Sequence, residues 1–240
     1  MGIFSDLQAD RQLALKLFPQ RKSTLAGFVV GRNAEAVSVL RRLAADDVNH
    51  DPLIYLHGVR SCGKSHLLQA VCHEYSEAPG EVVYLPMGDL MAAEPALLDG
   101  LESGRLIAVD DVDAVAGRAD WEIALFRLFD AARAVGVRLI FAAGAAPAAI
   151  AWTLPDLASR LGWGLVLRVL PLADEQLPLM LRRQASERRL ELPEPVIDYM
   201  LARLPRDAAS LAASMETLDA KSLSHGRALT KAFVREALGL

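Results

Sequence analysis

Residues 58–65, Gly58-Val59-Arg60-Ser61-Cys62-Gly63-Lys64-Ser65, fit the pattern GxxxxGK[ST]. They lie between an apolar run, Leu53–Leu56, and a helical pattern carrying Leu67, Leu68 and Val71. Strand, glycine loop and helix in that order build an anion cradle. The glycines turn backbone N–H groups inward, and the helix start adds partial positive charge. In such a cradle Lys64 reaches the β- and γ-phosphates of a nucleotide, and the Ser65 hydroxyl binds Mg²⁺. The residues from Gly58 through Val59, Arg60, Ser61, Cys62, Gly63, Lys64 and Ser65 to His66 are therefore the candidate nucleotide contacts. The competing reading, a glycine turn with no ligand, fits the pattern but leaves its strand–helix setting unexplained.

A phosphate loop needs an acidic partner for its metal. Leu106-Ile107-Ala108-Val109-Asp110-Asp111 supplies one, four apolar residues ending in two acids. Asp110 is the candidate Mg²⁺ ligand, acting through water, and Asp111 the candidate that orients an attacking water. Taken alone, the pair reads equally well as an acidic loop after a buried strand.

The chain around these motifs alternates. Strands are expected at Leu53–His57, Val82–Leu85, Leu106–Asp110, Arg138–Ala142 and Leu165–Val169, each short, apolar and bounded by Gly, Pro, Asp or a charge. Such runs suit a parallel sheet buried on both faces. Helical stripes fall at Ala34–Ala45 and Trp121–Val135. A three-layer α/β domain is expected over residues 28–170. The strand between the two motifs, Val82–Leu85, points to the nucleotidases that insert one there, which include the AAA+ class.

Beyond Pro171 the strands stop. Asp174–Arg189, Glu194–Leu204, Arg206–Ser222 and Thr230–Leu238 read as helices, with Asp174 and Thr230 as caps and Pro195 in a first turn. Residues 171–240 are expected to form a small helical domain. Its basic and acidic residues balance at 10 each, which gives no electrostatic hold on DNA. Residues 1–27 are polar except for Gln12-Leu13-Ala14-Leu15-Lys16-Leu17-Phe18, and read as an arm outside the core.

The net charge of −4 argues against general nucleic-acid binding. Cys62 and Cys72 form no CxxC pair, so zinc and redox chemistry are not indicated, and a reducing cytoplasm is the expected compartment. The uncharged stretch from Leu139 to Pro155 is too short, and too broken by Gly144 and Pro147, to span a membrane. It reads as a buried strand, a loop and a short helix.

Five segments carry a family resemblance. Phe28-Val29-Val30-Gly31, the phosphate loop and the Asp110-Asp111 pair resemble the AAA+ domain of the bacterial initiator DnaA. Leu154-Pro155-Asp156-Leu157-Ala158-Ser159-Arg160-Leu161-Gly162-Trp163-Gly164 resembles the arginine-finger segment of the DnaA-related regulators of the Hda type, and Leu190-Glu191-Leu192-Pro193 resembles both. The likeness runs from about residue 28 to the C-terminus, without DnaA's DNA-binding domain.

The resemblance implies an AAA+ module with a helical lid that binds ADP or ATP with Mg²⁺. It implies that Arg160 acts in trans on ATP held by DnaA, so that the chain lowers replication initiation. The bland reading of Arg160 is a loop arginine paired with Asp156. By the same resemblance Gln12, Leu13, Leu15, Leu17 and Phe18 form a peptide for the replicative sliding clamp, its leucines and phenylalanine filling an apolar pocket. Partners are then DnaA and the clamp, with no sequence-specific DNA contact and no membrane. The AAA+ class also admits a homo-oligomer.

Two positions depart from the family. The polar sensor expected after the fourth strand is Gly144, and the lid arginine expected at the third lid helix is Ala209, with Arg206 three residues earlier. Both favour a regulator with little turnover of its own. The alternative is an autonomous AAA+ ATPase such as a helicase loader, which has no need of the arm.

Overall fold

The computed structural model describes residues 23–45, 52–75, 82–225 and 228–240. The described chain divides into two compact units. The first holds residues through Leu25, Glu35–Arg60 and Lys64–Val169; the second holds Ala26–Ala34, Ser61–Gly63 and Leu170–Leu240.

The first unit is a parallel α/β layer structure. Its strands are β1 (Leu53–His57), β2 (Val82–Pro86), β3 (Leu106–Asp110), β4 (Arg138–Ala143) and β5 (Leu165–Arg168). They form one five-stranded sheet in the order β2-β3-β4-β1-β5, with every pairing parallel. Each expected strand is present within a residue at either end. Near-continuous burial along β1 to β4 follows from helices on both faces, which leave no solvated side to alternate toward. Pro86, which has no N–H to donate, closes the edge strand β2.

The helices of this unit include α1 (Ala34–Ala44), α2 (Lys64–Tyr75), the single turn α3 (Met87–Leu90), α4 (Ala119–Ala134) and α5 (Pro155–Leu161). α2 packs against β2, β3 and β4 through an apolar side that includes Leu67, Leu68 and Val71. On the other face Ile107, Val109, Leu139 and Phe141 cluster with Trp121, Leu125 and Phe129 of α4. β4 lies between β1 and β3, so the loop leaving β4 sits between the two loops that carry the sequence motifs.

The second unit is helical: α6 (Leu177–Glu187), α7 (Glu194–Arg203), α8 (Ala208–His225) and α9 (Lys231–Leu238). Leu181, Ile197, Met200, Leu211, Met215, Leu218 and Val234 form its core, joined by Val29 from the segment ahead of α1. Asn33 ties that segment in: its side chain donates to Leu170 O at 2.9 Å and accepts from Leu170 N at 2.8 Å. Thr230 caps α9 by accepting from Phe233 N at 3.2 Å, as expected. Asp174 does not cap. The helix expected from it begins at Leu177, where Pro178 occupies the first turn, and Asp174 pairs instead with Arg206 at 2.9 Å.

Candidate nucleotide site and the Arg160 helix

The loop from β1 to α2 takes the conformation that its sequence calls for. Ser61 and Gly63 have positive φ, 64° and 100°. At Gly63 an added Cβ would stand 2.7 Å from the Phe28 ring, so both backbone and packing require glycine. The Lys64 ammonium lies against the loop, donating to Gly58 O at 2.8 Å and Val59 O at 3.2 Å. Ser65, Val59 and Arg60 are exposed, whereas Cys62 is buried. The His66 ring meets Thr24 O through Nε2 at 3.2 Å. A cradle with inward glycine turns, a cation at its mouth and an exposed hydroxyl at the helix start suits a nucleotide triphosphate tail with a divalent ion.

At the end of β3, Asp110 is 3% exposed and fixed on both oxygens. Oδ2 accepts from the Tyr84 hydroxyl at 2.7 Å, and Oδ1 from Asp111 N at 3.1 Å. Gln69 on α2 donates to the Tyr84 oxygen at 3.1 Å. Burial and then the Asp110 charge raise the Tyr84 hydroxyl pKa, so Tyr84 remains a proton donor to the carboxylate. Asp111 has φ 49°. Its carboxyl is pushed above the ordinary range by partial burial in the loop, then by Asp110 and Asp113, against the pull of Lys64 and Arg60.

Gly144, where a polar side chain was expected, is not without a polar neighbour. Its N–H donates to Asp113 Oδ2 at 3.0 Å. In the second unit, Ala209 lies in the first turn of α8, and the side chain next to it is Asp207, which accepts from Ser210 N at 2.9 Å. The Ser210 amide, then the Ser210 and Ser61 hydroxyls, hold the Asp207 carboxyl below the ordinary range.

Arg160 lies on α5, and its partner is Asp130 on α4 rather than Asp156. Nε donates to Asp130 Oδ1 at 2.9 Å and Nη2 to Oδ2 at 3.4 Å. The guanidinium carbon sits 3.9 Å from the centre of the Phe126 ring. Trp163 stands beside it, 55% exposed, with Arg133 5.0 Å from its ring centre. The approach to α5 is pinned by buried Glu122, which accepts from Gly117 N at 2.8 Å, Thr153 N at 3.0 Å and Leu154 N at 2.6 Å. Sequence reasoning passed over Tyr84, Asp113, Glu122 and Asp130. For Tyr84 the available signal was a polar aromatic in a strand otherwise wholly apolar.

The basic residues of α6 are largely consumed within the unit. Arg182 grips Glu194 at 2.7 Å through two bonds, and Arg183 donates to Phe28 O at 2.8 Å. Gln12, Leu13, Leu15, Leu17 and Phe18 lie outside the described residues. Among the described residues no helix is long and apolar enough to cross a membrane.

The bacterial DnaA ATPase-domain model matches residues 19–168, more than half of the chain. The chain belongs to that family. The lid-domain model of Hda matches residues 174–238, so the protein is a DnaA-related AAA+ regulator with a helical lid. Solved structures share the fold. Domain III of the replication initiation protein DnaA from Thermotoga maritima is 21% identical at a TM-score of 0.74, over 92% of this chain and 97% of that one. AMPPCP-bound DnaA from Aquifex aeolicus is 24% identical at 0.68, over 86% and 68%. The Thermotoga maritima Holliday-junction branch-migration motor RuvB is 16% identical at 0.59, over 92% and 72%.

Proposed function

We propose that this chain binds an adenine nucleotide and promotes hydrolysis of ATP held by DnaA, in the manner of Hda, and so limits replication initiation. The observation that carries the reading is the joint match of a DnaA ATPase domain and an Hda lid along one chain.

In this reading the loop backbone from Gly58 to Ser65 holds the phosphates and Lys64 neutralises them. Ser65 and Asp110 hold Mg²⁺, with Tyr84 orienting the Asp110 carboxylate. When bound, the nucleotide and its metal supply a charged phosphate tail that these residues are shaped to bind. Asp111 is assigned to orient a water, but Gly144 and Ala209 offer no side-chain charge or donor to a γ-phosphate. Turnover by the chain itself is therefore low, which separates this reading from that of an autonomous ATPase.

Arg160 is the group that acts in trans. A guanidinium stays charged and offers a planar fork to phosphate oxygens, and an arginine finger contributes on the order of 10³–10⁵ in rate. The segment Gln12–Phe18 tethers the chain to the sliding clamp and raises its effective concentration near DnaA.

The test is DnaA's ATP turnover with and without this protein and DNA-loaded clamp. Stimulation that needs both, and that Arg160→Ala abolishes while clamp capture persists, supports the reading. Stimulation unaffected by Arg160→Ala refutes it.

A further inference from the structure

We infer that Asp130 and Phe126 of α4 are positioning residues for Arg160, holding its guanidinium so that one edge is presented for a phosphate oxygen on another protein. The inference rests on the finger reading above and concerns residues to which that reading gives no part.

A guanidinium has five N–H donors, and two of its edges can grip an oxyanion, one side-on through Nε and Nη2 and one end-on through Nη1 and Nη2. Asp130 occupies the edge formed by Nε and Nη2, at 2.9 and 3.4 Å. Among the described residues no acceptor engages Nη1, so the end edge, Nη1 with the second Nη2 proton, stays open. Phe126 supports the flat face at 3.9 Å, within cation–π range, and Trp163 flanks it at 5.5 Å. The side chain of Arg160 is accordingly only 22% exposed.

Arginine carries substantial rotamer entropy on its long, flexible stem. A free finger would lose it on reaching a phosphate, at the moment when the transition state must be held. The Asp130 grip and the Phe126 platform fix the rotamer beforehand, so the contact is made with little reordering. Asp130 is 47% exposed, so its grip on Arg160 adds little to fold stability, and its consequence lies in orientation.

The experiment uses the full chain with DnaA and DNA-loaded clamp, titrating stimulation of ATP turnover. Asp130→Ala is expected to lower the saturated rate about 10-fold while leaving the half-saturating concentration within about 2-fold, since a rotamer loss acts on the transition state. Asp130→Asn keeps an oxygen for Nε and is expected to recover the rate to within about 3-fold. The Arg160→Ala/Asp130→Ala double variant should be no slower than Arg160→Ala. An independent readout is the Arg160 Nε–H resonance in ¹⁵N-labelled protein without partners: slowly exchanging in the parent and in Asp130→Asn, and lost in Asp130→Ala.

An Asp130→Ala variant that matches the parent's saturated rate, or a parent Nε–H that exchanges as fast as a free arginine's, overturns the positioning role while the finger stands. If Arg160→Ala itself stimulates fully, the finger reading and this use of Asp130 fall together.

Discussion

The Asp113 carboxylate lies 3.0 Å from the Gly144 N–H, bringing an acid from the loop after β3 to the tip of β4. A Cβ at Gly144 would also meet that oxygen at 3.0 Å. The polar side chain expected just after β4 is thus missing where a carboxylate already stands. Gly144→Asp should place two carboxylates in contact and destabilise the protein by about 1–2 kcal/mol, roughly 2–8 °C in Tm. Adding Asp113→Ala should recover at least half of the loss, and raised salt should shrink it. Differential scanning fluorimetry reads all three. Recovery absent in the double variant would mean that the strain lies in the backbone and not in the charge.

Asp111 should titrate against the fold. Its native carboxyl is raised, chiefly by partial burial and then by Asp110 and Asp113. The group's contribution is intact below the unfolded-state value of about 4 and is lost as pH rises through the higher native one. Asp111→Asn should therefore raise Tm by about 1–2 °C at pH 7 without nucleotide, in the range of a surface substitution. The gain should fade as pH drops toward 4. A gain that persists at acid pH would contradict a charge origin.

Asp207 should behave with the opposite sign. Its native carboxyl is lowered, first by the Ser210 amide it accepts from. Its stabilisation is present above the unfolded-state value and is lost as pH falls through the lower native value. Asp207→Ala should cost about 1 kcal/mol at neutral pH, as loss of a helix cap does. Denaturation curves at pH 7 and pH 3 check this: the two proteins should converge at the lower pH.

The strands were legible because each is a short apolar run closed by a local breaker, and the phosphate loop because its chemistry is contiguous in the chain. What the sequence did not disclose is of one kind. Asp113 with Gly144, Asp130 with Arg160, and Glu122 with Thr153 each join residues 30 or 31 apart. Each pair links the stretch following β3 to the stretch following β4. The two strands are neighbours in the sheet, and α4 is the crossover between them, so these pairs exist only once the parallel crossover has formed. The same reason hides the membership of 26–34 and 61–63 in the helical unit, which Asn33, Arg183 and Phe28 establish through contacts far along the chain. Where local chemistry alone suggested a partner, as for Asp174 as a cap or, in the competing reading of Arg160, Asp156 as its ion pair, a more distant residue took its place.

Glu122 should separate the stability of the α5 approach from the orientation of Arg160. The side chain is fully buried, and its two oxygens receive Gly117, Thr153 and Leu154 amides. Glu122→Ala would leave three backbone donors without their acceptor, at about 1–3 kcal/mol for each one that finds no water. A loss of at least 3 kcal/mol is expected, or more than about 6 °C in Tm. Glu122→Gln retains an oxygen for Gly117 and Thr153 but turns an amide NH₂ toward the Leu154 N–H, so about 2 kcal/mol should be lost. Because Leu154 immediately precedes α5, both variants should also lower the saturated stimulation of DnaA's ATPase when assayed below their melting temperatures. Asp130→Ala, at an exposed position, should lower that rate with Tm unchanged within about 1 °C. Parallel melting and turnover measurements on the three variants decide the point. A Glu122→Gln protein that melts several degrees early yet stimulates fully would show that the Leu154 anchor serves the fold and not the finger.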